Sequence, residues 1–116
     1  MPQFIITWIA TAIALLITAW IVPGLVINSV VAAIIGAAVL GFVNAIVKPI
    51  LFFFTLPLTI LTLGLFLLVL NAITFGIVGA LTPGFTVSGF FPALFGSLIL
   101  SFIAGILNQF FQDELG

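Results

Sequence analysis

Only three side chains in this 116-residue chain carry a charge: Lys48, Asp113 and Glu114. A soluble domain keeps about a quarter of its residues charged to hold its surface in water. Here charged residues make up 3% and hydrophobic ones 66%. Almost no position can face water, so the chain reads as a small integral membrane protein whose first partner is the lipid bilayer. The same scarcity excludes whole classes of function. One lysine and a net charge of −1 cannot neutralise a run of phosphates, so nucleic acid is not a partner. With Cys 0 and His 0 there is no disulfide and no zinc or haem ligand of the usual kind, and no cofactor is expected. Catalysis by acid–base or nucleophilic groups needs titratable side chains set near one another. A lone lysine and two adjacent acids near the C-terminus do not supply them, so the chain is not expected to be an enzyme.

A hydrocarbon core about 30 Å thick takes about 20 apolar residues of helix. Four stretches qualify, approximately residues 3–22, 30–47, 58–81 and 90–112, within a single membrane domain of residues 1–116. They are punctuated by Pro23-Gly24, Lys48-Pro49, Pro57, Thr82-Pro83-Gly84 and Asp113-Glu114. Lipid leaves no backbone group unpaired, so spans are helices or strands of a closed barrel. Barrel strands alternate apolar and polar residues. No sustained alternation runs through Ile60-Leu61-Thr62-Leu63-Gly64-Leu65-Phe66-Leu67-Leu68-Val69-Leu70, so the expected class is all-α with four transmembrane helices. Before the first apolar run stand only Met1-Pro2-Gln3, without a basic segment, and the run is long. It is expected to stay as a span rather than be cleaved as a signal peptide. Lys48 falls on the same side as both termini, and the positive-inside tendency puts that side in the cytoplasm.

The connection over residues 48–57 has no hydrophilic residue after its lysine. It is too short to cross a membrane and too apolar for a loop in water. Three readings fit: a short interfacial helix with Pro49 in its first turn, the start of one long third helix kinked at Pro57, or a re-entrant segment lining a cavity.

Sliding the sequence over itself by 60 residues pairs Pro23-Gly24 with Pro83-Gly84, Gly36 with Gly96, Leu40 with Leu100 and Phe42 with Phe102. Ala12, Ile13 and Ile17 meet Ala72, Ile73 and Ile77. Within this register the second span carries small residues at every fourth position, Ala33, Ala37, Gly41 and Ala45. Their counterparts in the fourth span are Ala93, Ser97, Ser101 and Gly105. Small residues at this spacing let helix backbones approach closely where lipid removes the hydrophobic driving force. The chain therefore reads as two related helical hairpins, an internal repeat at offset 60. Each copy holds an even number of spans, so both insert in the same direction about an axis along the membrane normal.

No ionisable residue falls at mid-bilayer. Asn71 lies near the centre of the third span, Asn44 one turn before Lys48, and Asn108 at the position equivalent to Lys48. An unpaired amide is costly there, so these asparagines read as clamps between helices or as the wall of a solute path. Lys48 is expected to snorkel to the interface; a pair with Asp113 or Glu114 is open to it on the same side, but an exposed pair would add little. Trp20 suits the interfacial belt, whereas Trp8 lies deeper than such a belt requires.

The middle of the chain carries a more specific pattern. Asn44-Ala45-Ile46-Val47-Lys48-Pro49-Ile50-Leu51 is followed by Leu56-Pro57-Leu58-Thr59-Ile60-Leu61-Thr62-Leu63-Gly64-Leu65-Phe66 and then Asn71-Ala72. This resembles the signature of the bacterial family called phage holin superfamily IV, the YvlD-like four-span membrane proteins. The likeness covers essentially the whole chain. It makes Asn44, Lys48, Pro49, Pro57, Gly64 and Asn71 the family-pattern positions, and it implies a multi-pass protein of the bacterial cytoplasmic membrane. Three functions stand open on it. One is a holin-like protein that forms homo-oligomers and permeabilises the membrane. Another is a structural or accessory protein that docks on partner helices or binds lipids without transport. The third is a small-solute carrier.

Overall fold

The computed structural model describes residues 2–62 and 64–115. Met1, Leu63 and Gly116 lie outside them, and Leu63 belongs both to the third expected span and to the pattern around Gly64. Helix α1 covers Gln3–Ile21, strand β1 Leu25–Ile27 and helix α2 Val30–Phe42. A π-helical turn, Val43–Val47, carries α2 directly into α3, Lys48–Phe54. Then come α4 (Leu56–Leu61), α5 (Phe66–Leu81), β2 (Phe85–Val87) and α6 (Phe90–Leu115).

The helices bury narrow faces and leave apolar side chains outside. In α1 the buried Ile6, Ala10, Ala14 and Thr18 follow one another at intervals of four, with Leu15 beside them. Phe102 is 71% exposed and Leu61 79%, the outward apolar surface that lipid requires. Two buried hydroxyls are satisfied within their own helices: Thr18 Oγ1 donates to the Ala14 carbonyl at 2.7 Å and Thr74 Oγ1 to that of Leu70 at 3.1 Å. Ser29 caps α2 by accepting from the Ala32 amide at 3.1 Å.

Three helical stretches are long and apolar enough to cross a membrane: Gln3–Ile21, Val30–Phe54 and Phe90–Glu114, with mean hydropathies of 2.3, 2.5 and 2.2. The fourth apolar helix, Phe66–Leu81, is shorter. At 1.5 Å per residue it spans about 24 Å.

The second helix does not stop at Lys48-Pro49. A proline inside an α-helix loses one hydrogen bond and clashes with the carbonyl four residues back. Here the Lys48 amide bonds to the Val43 carbonyl, five residues back, and this widened turn gives the pyrrolidine ring the room that α-geometry denies. The helix ends at Thr55, where α4 begins with Pro57 in its first turn. Thr62, Gly64 and Leu65 then lie in turns, with Gly64 at φ +90° and its amide donating to the Thr59 carbonyl at 2.8 Å. The stretch expected as one span over 58–81 is thus divided into α4 and α5. The 48–57 connection is neither a separate interfacial helix nor the head of one continuous third helix, because its first part prolongs the second.

The all-helical expectation also misses β1 and β2, which pair antiparallel with Leu25 opposite Val87, Val26 opposite Thr86 and Ile27 opposite Phe85. Each strand is three residues long, too short to be read from alternation, and pairing comes only from the meeting of two distant loops. The ladder continues past the strands: the Asn28 amide donates to the Gly84 carbonyl and the Ser88 amide to that of Gly24, both at 2.9 Å. Gly24 and Gly84 both hold positive φ, +92° and +82°, which favours glycine.

α6 packs against α1 and α5, and α1 also against α2. The core lies toward the strand pair, where Val22, Leu25, Val78 and Phe85 are buried around Leu15 and Phe75. The rings of Phe75 and Phe85 meet edge to face with centroids 5.5 Å apart.

Candidate functional site

Away from the strands the helices part around a cavity of about 170 Å³. Its floor is buried: Leu40, Thr74, Phe75, Ser97 and Leu100. Toward its mouth stand Asn44 and Ser101, both exposed, and the half-buried Lys48 and Asn71. The π-helical turn places Asn44 and delivers Lys48 one residue beyond it, so the irregular backbone and the chain's single cation belong to one site.

Three of the hydroxyls lining the cavity already donate to backbone carbonyls. Thr11 Oγ1 donates to Thr7 at 2.8 Å, Thr74 Oγ1 to Leu70 at 3.1 Å and Ser97 Oγ to Leu94 at 2.9 Å. Among the described residues no side-chain hydrogen bond engages Lys48, Asn44 or Asn71, and no carboxylate lies within 4.0 Å of the Lys48 ammonium. The pair open to Lys48 with Asp113 or Glu114 is therefore not formed among the described residues.

A groove of about 680 Å³ adjoins the cavity between α1 and α2, and the two share Thr11, Leu40 and Asn44. Its walls include Phe4, Trp8, Ala38, Gly41 and Phe42. The Trp8 Nε1–H donates to the Ile34 carbonyl at 2.9 Å, so the polar group of this indole is satisfied within the bundle.

Of Asn44, Asn71 and Asn108, Asn108 joins two helices: Thr7 Oγ1 of α1 donates to its Oδ1 at 3.1 Å. Asn44 and Asn71 face the cavity instead. Of the small residues, Ala33, Ala37, Ala93 and Ser97 are buried, while Gly41, Ala45, Ser101 and Gly105 are exposed. A Cβ added at Gly41 or Gly105 would meet nothing within 4 Å, whereas at Gly96 it would come 2.6 Å from Leu25 Cδ1. Within one chain the stripes are thus packed over the half nearer the strands and uncovered over the half nearer the cavity mouth. Pro49 and Pro57 are exposed, and Gly64 is half-buried in its turn.

Thr7, Thr11 and Thr74 do not stand out in the sequence. Thr11 was accessible through the register of 60, which sets it against Asn71. Thr74 lies one helical turn after Asn71 and so on the same face.

A family model described as mycobacterial 4 TMS phage holin, superfamily IV, matches residues 2–106. The chain belongs to this family. An uncharacterized protein of Streptomyces coelicolor is 38% identical over 123 aligned positions, covering 97% of this chain and 98% of that one. The uncharacterized membrane protein YvlD of Bacillus subtilis is 37% identical over 102, covering 87% and 86%. No solved structure matches the chain. Asn44, Lys48 and Asn71, which line the cavity, all fall within the stretch that the family model matches.

Proposed function

We propose that this protein is a binding or accessory protein of the bacterial cytoplasmic membrane, which takes up a ligand or partner through a one-ended polar cavity and opens no aqueous path of its own. The observation that carries this reading is the buried floor: Phe75 and Leu100 close the cavity on the side of the strand pair, backed by Phe85 and Leu25. A water-filled route would have to break this packed layer. The two hairpins act as related units inserted in the same direction, with Leu25–Val87 and Ile27–Phe85 pairing symmetrically about Val26 and Thr86. Lys48 and both termini face the cytoplasm, which turns the cavity mouth inward.

The test is release of a trapped dye from vesicles carrying the purified protein at increasing density. Tight vesicles at every density are expected. Release that rises steeply with density would replace this reading with cooperative permeabilisation. One observation favours that second reading: Gly41, Ala45, Ser101 and Gly105 form uncovered stretches of small residues, against which further copies of the chain can pack closely.

A further inference from the structure

We propose that Lys48 and the mouth of the cavity hold the phosphate of an anionic membrane phospholipid, with one acyl chain lying in the groove between α1 and α2. This inference rests on the one-ended binding reading and adds the ligand class. Its first support is where the free donors lie. The hydroxyls of Thr11, Thr74 and Ser97 are committed to backbone carbonyls. What remains for a ligand is the Lys48 ammonium, the amide groups of Asn44 and Asn71, and the Ser101 hydroxyl. These point to an anion, and they gather toward the mouth, where a headgroup would lie.

The second support is charge. Lys48 is the chain's only cationic side chain, and no carboxylate among the described residues neutralises it. The third is continuity. The cavity shares Thr11, Leu40 and Asn44 with a groove walled by Phe4, Trp8, Ala38 and Phe42 and open at Gly41. A polar socket running into a mainly apolar trough, with Gln3 and Thr7 as its further polar residues, matches a molecule with a charged head and a hydrocarbon chain. A soluble phosphate would use the socket and leave the trough empty.

Trp8 lines the trough and supplies the probe. The Trp20→Phe protein, with Trp8 as its single tryptophan, is placed in phosphatidylcholine vesicles containing brominated phosphatidylglycerol or brominated phosphatidylcholine. Trp8 is expected to be quenched at lower mole fraction by the anionic lipid, with a roughly fivefold preference. The preference should vanish in Lys48→Gln and persist in Lys48→Arg. Gly41→Leu, which fills open space, should reduce quenching by both lipids without loss of helicity. Equal quenching by the two lipids, a preference surviving Lys48→Gln, or full quenching in Gly41→Leu would overturn the proposal. Inorganic phosphate should leave the preference intact; if it abolishes it, the site belongs to a soluble anion and the lipid assignment fails. Dye retention in the same vesicles separates the two levels. Leaky vesicles defeat the one-ended reading, and tight vesicles with equal quenching defeat the lipid assignment alone.

Discussion

The amide of Asn28 donates to the carbonyl of Gly84 at 2.9 Å, and the amide of Ser88, 60 positions after Asn28, donates to Gly24 at the same distance. Two loops that are each too short to hold themselves thereby hold one another. A Cβ at Gly24 would lie 2.6 Å from Pro92 Cγ, and one at Gly84 3.0 Å from the Ala32 Cβ. Both backbones also have positive φ. Gly24→Ala and Gly84→Ala should each destabilise by about 1–3 kcal/mol, measured as a lower thermal midpoint in detergent. Unchanged midpoints would show that the strand pair does not secure the bundle.

The buried face nearer the strands is close-packed and the face nearer the cavity mouth is not, so glycines on the two halves should respond differently. Gly96→Ala forces its Cβ toward Leu25 and Phe75 and should lower stability by about 1–3 kcal/mol. Gly105→Ala meets open space and should be neutral or slightly stabilising. Equal effects would contradict this division of the bundle.

Thr82 Oγ1 is the one buried side-chain polar atom without a hydrogen-bond partner among the described residues. Position 22, its counterpart in the register of 60, is valine. Thr82→Val keeps the shape and removes the orphan hydroxyl, so it should raise stability by about 1 kcal/mol. A clear loss in thermal midpoint would mean that the hydroxyl has a partner in the membrane.

Thr7 and Asn108 join α1 to α6 at 3.1 Å. A double-mutant cycle with Thr7→Val and Asn108→Leu should give a coupling of about 0.5–2 kcal/mol. Additive losses would make the contact energetically idle.

Much of this architecture was legible from residues alone. Apolar runs placed α1, α2, α5 and α6, because lipid imposes length and composition on any helix that crosses it. The Pro-Gly pairs placed both turns. What escaped has physical reasons as well. Lys48-Pro49 reads as a helix stop, yet a π turn absorbed the proline and carried the helix to Phe54. The strands depend on a partner distant in the sequence, Val26 pairing with Thr86, which no local pattern reveals. The cavity is half visible in the sequence: Asn44, Asn71 and Lys48 stand out as polar residues in apolar surroundings, whereas Ser97 and Ser101 fall within a stripe of packing residues. Thr11 and Thr74 did not stand out, because a threonine that bonds its own helix is at home in lipid.

The central claim is that the polar cavity opens only on the side of Lys48. The chain has no cysteine of its own, so a single one can report on access. Asn71→Cys protein, reconstituted in one orientation, is exposed to a membrane-impermeant thiol reagent from each side in turn. The account predicts labelling from the side that carries the termini and none from the side of the Pro-Gly turns. Labelling from both sides, or from the turn side alone, would contradict it.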